Sequence, residues 1–342
     1  MGSKALNRNS TLDLLKLAAA YLVVFIHVPF YGSLGVVVST LARFAVPVFF
    51  ISSGFFCYGN DVAIIGKKAL KIFYILIFAS VLYNITNVLF AVFSDGLGGV
   101  VEYLRGFLSL QGWAELLLFN SPFSATRLWF LFALIYVYLL QMLVSKFRVK
   151  DTAVLIISLL LLLVNLALVE GLSAFGIEIP EYLTRNFLLT GYPFFGIGLS
   201  LRKYQDKVCS AKPALMISGF LAGAVLSLVS LYFIGENVLY LGSVLMAVFA
   251  FAVAMKYPSV TDSRKLLRLF DCSLGIYIFH RPVATAVDVF AKVLSINTES
   301  ALYINLIPIL VCVLTTAFTL IVKAIADRIS VSHNKKTGER QS

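Results

Sequence analysis

Apolar residues recur along this chain in runs of about 20, a length that as an α-helix crosses a hydrocarbon layer roughly 30 Å thick. Short polar or basic stretches separate the runs. The pattern predicts ten helices, near residues 12–31, 35–57, 70–93, 127–145, 152–170, 187–201, 213–234, 237–256, 270–291 and 301–323. The sixth is short and carries Gly191, Tyr192 and Pro193, so a tilted or broken helix is expected there. The expected fold is all-α, a polytopic transmembrane bundle of about ten spans filling residues 1–330. Residues 331–342 are polar and read as a disordered tail. The one long interruption between spans, 94–126, mixes aromatics with Asp95, Glu102, Arg105 and Glu115. Its residues Tyr103, Leu104, Phe107, Leu108 and Leu110 suit either an interfacial helix or a loop packed over the bundle.

Composition agrees with a membrane protein. Apolar residues make up 60% of the chain, charged residues 13%, and mean hydropathy is +0.93, against roughly half apolar and a quarter charged in soluble domains. The net charge of +11 reports topology instead of nucleic-acid binding. With a cytoplasmic N-terminus and ten alternating spans, 22 of the 28 Lys and Arg residues fall on the inside. Only Arg43, Arg105, Arg127, Arg185, Arg281 and Lys292 remain within spans or outside. That asymmetry follows the positive-inside rule. It predicts a multi-pass protein of the cell (inner) membrane, with both termini cytoplasmic and the basic face against anionic lipid. Ala18, Ala19 and Ala20 precede the first apolar stretch instead of ending it, so no cleavable signal is expected. Cys57, Cys209, Cys272 and Cys312 are isolated and share no ligand spacing with His27, His280 or His333. Free thiols and no metal are therefore expected. No Walker loop, GxGxxG or GxSxG motif occurs.

Polar residues inside the spans carry the chemistry. His27 lies eleven residues, three helical turns, beyond Lys16. That spacing rotates a helix by roughly 20° net and advances it about 16 Å. Lys16, Asp13 and His27 thus share one stripe, the lysine near a membrane surface and the imidazole deep. An intramembrane imidazole points by default to function. Arg43 enters the second span from its outer end to roughly 12 Å, a depth comparable to that of His27. A short connection makes these helices antiparallel neighbours, so the two side chains are expected to meet. The guanidinium would then steady developing negative charge; the alternative is an arginine snorkelling to the interface. The run from Val46 to Gly54, with Pro47, Ser52 and Ser53, suits close helix packing at least as well as chemistry. In the ninth segment Ser273, Tyr277 and His280 share a face. His280 fits a group that orients an acceptor or His27, or an interhelical hydrogen bond. Asp271, on the opposite face, reads as a capping residue at the inner surface.

These motifs resemble a family. Asp13, Lys16 and His27 in LDLLKLAAAYLVVFIH match the Lys/Arg-x10-His signature of the acyltransferase-3 membrane proteins. RFAVPVFFISSGFF (Arg43 to Phe56) resembles that family's second-helix block, with one serine more than its usual Ile-Ser-Gly core. LWFLFALIYVY (Leu128 to Tyr138) and SLGIYIFH (Ser273 to His280) resemble its Leu-Trp-aromatic and Gly-Ile-Tyr-Leu-x-His blocks. Arg127 stands where the block often has histidine, and Arg281 follows His280 directly.

The resemblance implies an O-acetyltransferase. Such an enzyme moves an acyl group, usually acetyl, from cytoplasmic acetyl-CoA to a hydroxyl of an extracytoplasmic or lipid-linked carbohydrate or envelope polymer. Acyl transfer needs a base for the hydroxyl proton or a nucleophile to hold the acyl group, and imidazole can do either near neutral pH. His27 and Arg43 are thus the expected catalytic residues. Arg8, Asp13, Lys16, Lys67, Lys68 and Lys71 form the expected donor site, the cations holding the phosphates of coenzyme A. Ser52, Ser53, Arg127, Trp129, Tyr277 and His280 form the acceptor or supporting set. Tyr136 and Trp129 offer faces for sugar rings, although a membrane-interface belt also explains Trp129. A proton-coupled exporter of a polar envelope precursor is the rival reading of intramembrane Arg and His.

Overall fold

The computed structural model describes residues 8–119, 128–177 and 179–338. Arg127 lies outside the described residues, which form helices and connections with no strand among them. In chain order the helices are α1 (Ser10–His27), α2 (Gly32–Ala42), α3 (Ala45–Phe55), α4 (Val62–Phe107), α5 (Leu110–Phe119), α6 (Trp129–Lys146), α7 (Asp151–Leu166), α8 (Glu181–Thr184) and α9 (Tyr192–Lys203). They continue as α10 (Gln205–Ser210), α11 (Pro213–Ile234), α12 (Leu241–Lys256), α13 (Arg264–Phe270), α14 (Ser273–Val293) and α15 (Ala301–Gly338). Each of the ten expected segments contains helix, although residues 28–31 and 237–240, at the ends of two of them, are not helical. Seven stretches among the described residues are long and apolar enough to cross a membrane: Ser10–His27, Gly32–Phe55, Val62–Ser94, Trp129–Lys146, Asp151–Gly171, Pro213–Ile234 and Ala301–Ile329. Of the other three, α12 is apolar but shorter, α9 starts in a wide turn, and α14 carries His280, Arg281, Asp288 and Lys292.

Several helices depart from a single straight rod, each for a local reason. The second span breaks between α2 and α3. A proline deprives the carbonyl four residues back of its N–H partner and crowds it, and the residue four before Pro47 is Arg43. Arg43 accordingly caps α2, its own N–H 3.2 Å from the Thr40 carbonyl. The sixth segment opens as one π-helical turn, Phe187–Gly191, before α9 takes over. Asn165 supports that wide turn from α7, donating to the Leu189 carbonyl (2.9 Å) and the Thr190 hydroxyl (3.0 Å). A second π turn, Ala167–Gly171, ends the α7 span. α4 bends at Gly96, whose φ of 62° and ψ of −149° are open to glycine alone at little strain. Beyond the bend the chain folds back, and the Tyr103 hydroxyl donates to Asn84 Oδ1. The stretch read as either an interfacial helix or a packed loop is helical to Phe107 and again over Leu110–Phe119, with Leu97, Leu108 and Leu110 largely exposed. α15 continues to Gly338, through the start of the segment expected to be a tail.

α3 lies at the heart of the bundle, packed against α1, α9 and α12. Its crossing with α9 leaves room for nothing larger than hydrogen: a Cβ on Gly54 would stand 1.9 Å from the Phe195 carbonyl oxygen, and one on Gly198 2.1 Å from that of Ile51. Small residues permit such backbone contact in a medium that gives helices no hydrophobic reason to associate. The main core (Phe50, Ile51, Leu131, Phe194 and Phe251 among others) gathers around this crossing. A second core, including Leu17, Val24, Ile276 and Val311, fills the space between α1, α14 and α15. α1 separates the two cores, and its last residue is His27.

Candidate active site

His27 ends α1, and His280 lies on α14, the helix packed beside it. Their rings stack, with centroids 5.4 Å apart and planes 11° from parallel. His280 is completely buried, and its Nδ1 lies 2.7 Å from the Tyr277 carbonyl oxygen. A carbonyl only accepts, so Nδ1 carries the proton and Nε2 of the neutral ring is the basic nitrogen. The stack joins the end of α1 to the buried face of α14.

A cavity of about 40 Å³ adjoins this pair, walled by His27, Arg43, Pro47, Trp129, Arg185 and Thr190 among others. The Pro47 break sets Arg43 here, at the join of two helices instead of along a continuous one. Arg43 Nε is buried with no hydrogen-bond partner among the described residues. Arg185 arrives from the end of α8, its guanidinium 5.1 Å from the Trp129 ring and ion-paired with Glu181. The start of α6 builds the wall behind: Trp129 and Phe130 pack on Phe50 at 6.1 and 4.7 Å, and Tyr277 meets Phe130 edge-on at 5.5 Å.

Arg43 also lines a larger cleft of about 460 Å³, together with Ser173, Glu181, Thr184, Glu236 and Asn237. That volume lies in the range of small-molecule sites, about 300–1,000 Å³. Its rim is fixed by Tyr240, whose hydroxyl accepts from the Asn237 N–H (2.6 Å) and donates to the Gly235 carbonyl (3.0 Å). Glu170 accepts the Leu241 N–H at 2.8 Å and ties this loop to the end of the α7 span.

The opposite end of the bundle is basic. Lys16 pairs with Asp13 at 2.7 Å, and its Nζ lies 5.8 Å from the centre of the Phe56 ring. Lys68 donates to the Phe56 carbonyl, and the Arg202 guanidinium lies 5.3 Å from the Phe55 ring. Lys67 and Lys71 are exposed on α4. Arg8 is shared between Asp13 (2.8 Å) and Asp271 (2.7 Å) and also donates to the Leu267 carbonyl (3.1 Å). Asp271, expected as a cap, thus joins the N-terminus to α13. A cleft of about 440 Å³ opens at this end, lined by Tyr58, Asn60, Gln141, Arg148, Asp151 and Lys203 among others. Burial, with the Asp151 carboxylate beside it, raises the Tyr58 hydroxyl above the ordinary tyrosine value.

The structure brings His27, Arg43 and Trp129 to one cavity, stacks His280 on His27, packs Tyr277 on Phe130, and gathers Lys16 and Lys68 around Phe56. Ser52 is buried, and Ser53 donates to the Phe49 carbonyl at 2.8 Å; both belong to the α3–α9 crossing and do not line the cavity. Arg185 and Arg202 were not assigned to a site from the sequence. For Arg185 one signal existed: it is among the six cations outside the inner clusters. No group of metal-ligating residues occurs among the described residues.

A family model described as an acyltransferase domain, of the acyltransferase-3 type, matches residues 9–327. Searches of curated proteins and of solved structures give no significant match.

Proposed function

Because the chain belongs to the acyltransferase-3 family, an assignment that makes it a membrane acyltransferase, we propose that it O-acetylates an envelope glycan. The donor is cytoplasmic acetyl-CoA, and the acceptor is a hydroxyl of an extracytoplasmic or lipid-linked carbohydrate or envelope polymer. The protein works in the cell membrane, with the basic end of the bundle facing the cytoplasm. The family match favours this reading over export of an envelope precursor.

The observation that carries the proposal is the stacked His27–His280 pair beside a cavity that Arg43 also walls. His27 takes the proton from the acceptor hydroxyl as its oxygen attacks the thioester carbonyl. The new C–O bond forms, the C–S bond breaks, and the sulfur leaves with the proton held by His27. His280, fixed by its bond to the Tyr277 carbonyl, orients His27 and steadies the charge it gains. Arg43 lies where negative charge develops on the carbonyl oxygen. Lys16 and Lys68, with Lys67 and Lys71 alongside, hold donor phosphates, and Arg202 adds to that charge. Arg127 precedes the α6 wall and belongs to the acceptor side. The cleft of about 460 Å³, which shares Arg43 with the reaction cavity, admits the acceptor.

Mass analysis of envelope glycans from cells with and without this gene tests the reading. Loss of acetyl esters in the deletion, restored by the wild-type gene but not by His27→Ala, is expected. An unchanged acetylation pattern would sink it.

A further inference from the structure

We infer that Arg185 is a second charge-stabilising residue of the transfer reaction, one that exchanges Glu181 for the acyl oxygen as the tetrahedral intermediate forms. The inference rests on the acyltransferase reading above. Arg43 and Arg185 wall the same cavity of about 40 Å³, and each is a like charge in the other's field. Two guanidiniums side by side in a membrane-embedded cavity repel each other. Glu181 pairs with Arg185 and, with Glu236, also bears on Arg43 from the neighbouring cleft, but Arg43 Nε has no hydrogen-bond partner among the described residues. The cavity therefore holds donors set in advance for one more acceptor oxygen.

The reaction supplies that charge at one stage only. The thioester carbonyl and the acceptor hydroxyl are both neutral. When the hydroxyl oxygen adds to the carbonyl carbon, its proton passes to His27, and the carbonyl π pair moves onto oxygen as an oxyanion. The oxyanion then collapses to the ester, the C–S bond breaks, and the thiolate takes the proton from His27. An attraction present only at the intermediate raises the rate without tightening substrate binding.

Arg185 is free to make this exchange. Its partner Glu181 has a side chain 64% exposed, and an ion pair so open to water is weak. Both residues sit on or beside α8, a single helical turn. The Trp129 face under the guanidinium gives it a surface to slide along while keeping its plane. The cavity holds only a few waters, so an acyl group and a hydroxyl enter when a wall moves. Arg185 is a part of that wall held only at the end of one helical turn.

The test uses the full-length detergent-solubilised protein, acetyl-CoA, and total envelope polysaccharide of the source cell as acceptor. Transfer by the wild type is the control for the function itself; its absence overturns that reading and this inference together. Given wild-type transfer, Arg185→Ala should lower kcat about 10²–10³-fold, the loss typical of one oxyanion donor, with KM for acetyl-CoA unchanged. Added guanidinium should restore part of it. Arg185→Lys keeps the charge and the packing, and should melt like the wild type with an intermediate kcat. Glu181→Gln removes the competing carboxylate and should raise kcat. Wild-type kcat in Arg185→Ala, or a loss in Glu181→Gln as large as in Arg185→Ala, would overturn the inference, the latter by marking a purely structural ion pair.

Discussion

Each cation at the basic end has a different amount of its charge left to offer. Arg8 lies between two carboxylates, Asp13 and Asp271, and donates to a carbonyl as well. Lys16 has one carboxylate partner and an aromatic face, and a quarter of its side chain is exposed. Lys16→Ala should therefore weaken acetyl-CoA binding more than Arg8→Ala, as titration of purified protein with the donor would register. Binding by the wild type should also weaken as salt rises, because partly exposed charges are screened. Equal donor affinity in Lys16→Ala and the wild type would move the donor site elsewhere. Arg8→Ala should act on stability instead, by about 0–1 kcal/mol, since its pairs are partly exposed.

The helices themselves hold the site in place through two backbone devices. At the α3–α9 crossing, Gly54→Ala would drive a methyl group into the Phe195 carbonyl. Overpacking of this kind typically costs about 1–3 kcal/mol, so a lowered melting temperature is expected; an unchanged melt would show that the helices separate freely. Pro47→Ala would return an N–H to the Arg43 carbonyl and favour a continuous helix. Transfer activity should fall while the fold persists, because Arg43 leaves the cavity wall. The helices were largely legible in the sequence, since runs of about 20 apolar residues have few other solutions. The break of the sixth segment was legible too, from Gly191 and Pro193. Its π-helical form was not, because it depends on Asn165 reaching across from α7. The shared face of Lys16 and His27 follows from helical arithmetic alone. The stacking of His27 on His280 does not, because 253 residues separate them and only the packing of α14 against α1 joins them. Arg185 escaped for the same reason: Glu181 stands four residues before it, but its meaning lies in Trp129 and Arg43, which only the fold brings near.

The whole bundle is polarised. Cations gather where α1 begins, the two histidines lie where it ends, and a polar cleft opens beyond Arg43. A cytoplasmic donor and an extracytoplasmic acceptor suit this layout, and it sets a topology. Reporter fusions within 94–126 should read as outside and those within 202–212 as inside; the reverse pattern would exchange the donor and acceptor ends. The central claim is that an acyl group passes from one side to the other at His27. Its most direct test is transfer of radiolabelled acetyl from acetyl-CoA, supplied to the cytoplasmic face of inverted membrane vesicles, to polysaccharide enclosed within them. Wild-type vesicles should label the enclosed polysaccharide. His27→Gln vesicles, which keep the hydrogen-bonding side chain but lose the base, should label it about 10²–10⁴-fold more slowly while binding acetyl-CoA as well as before. Labelling by His27→Gln at the wild-type rate would contradict the account.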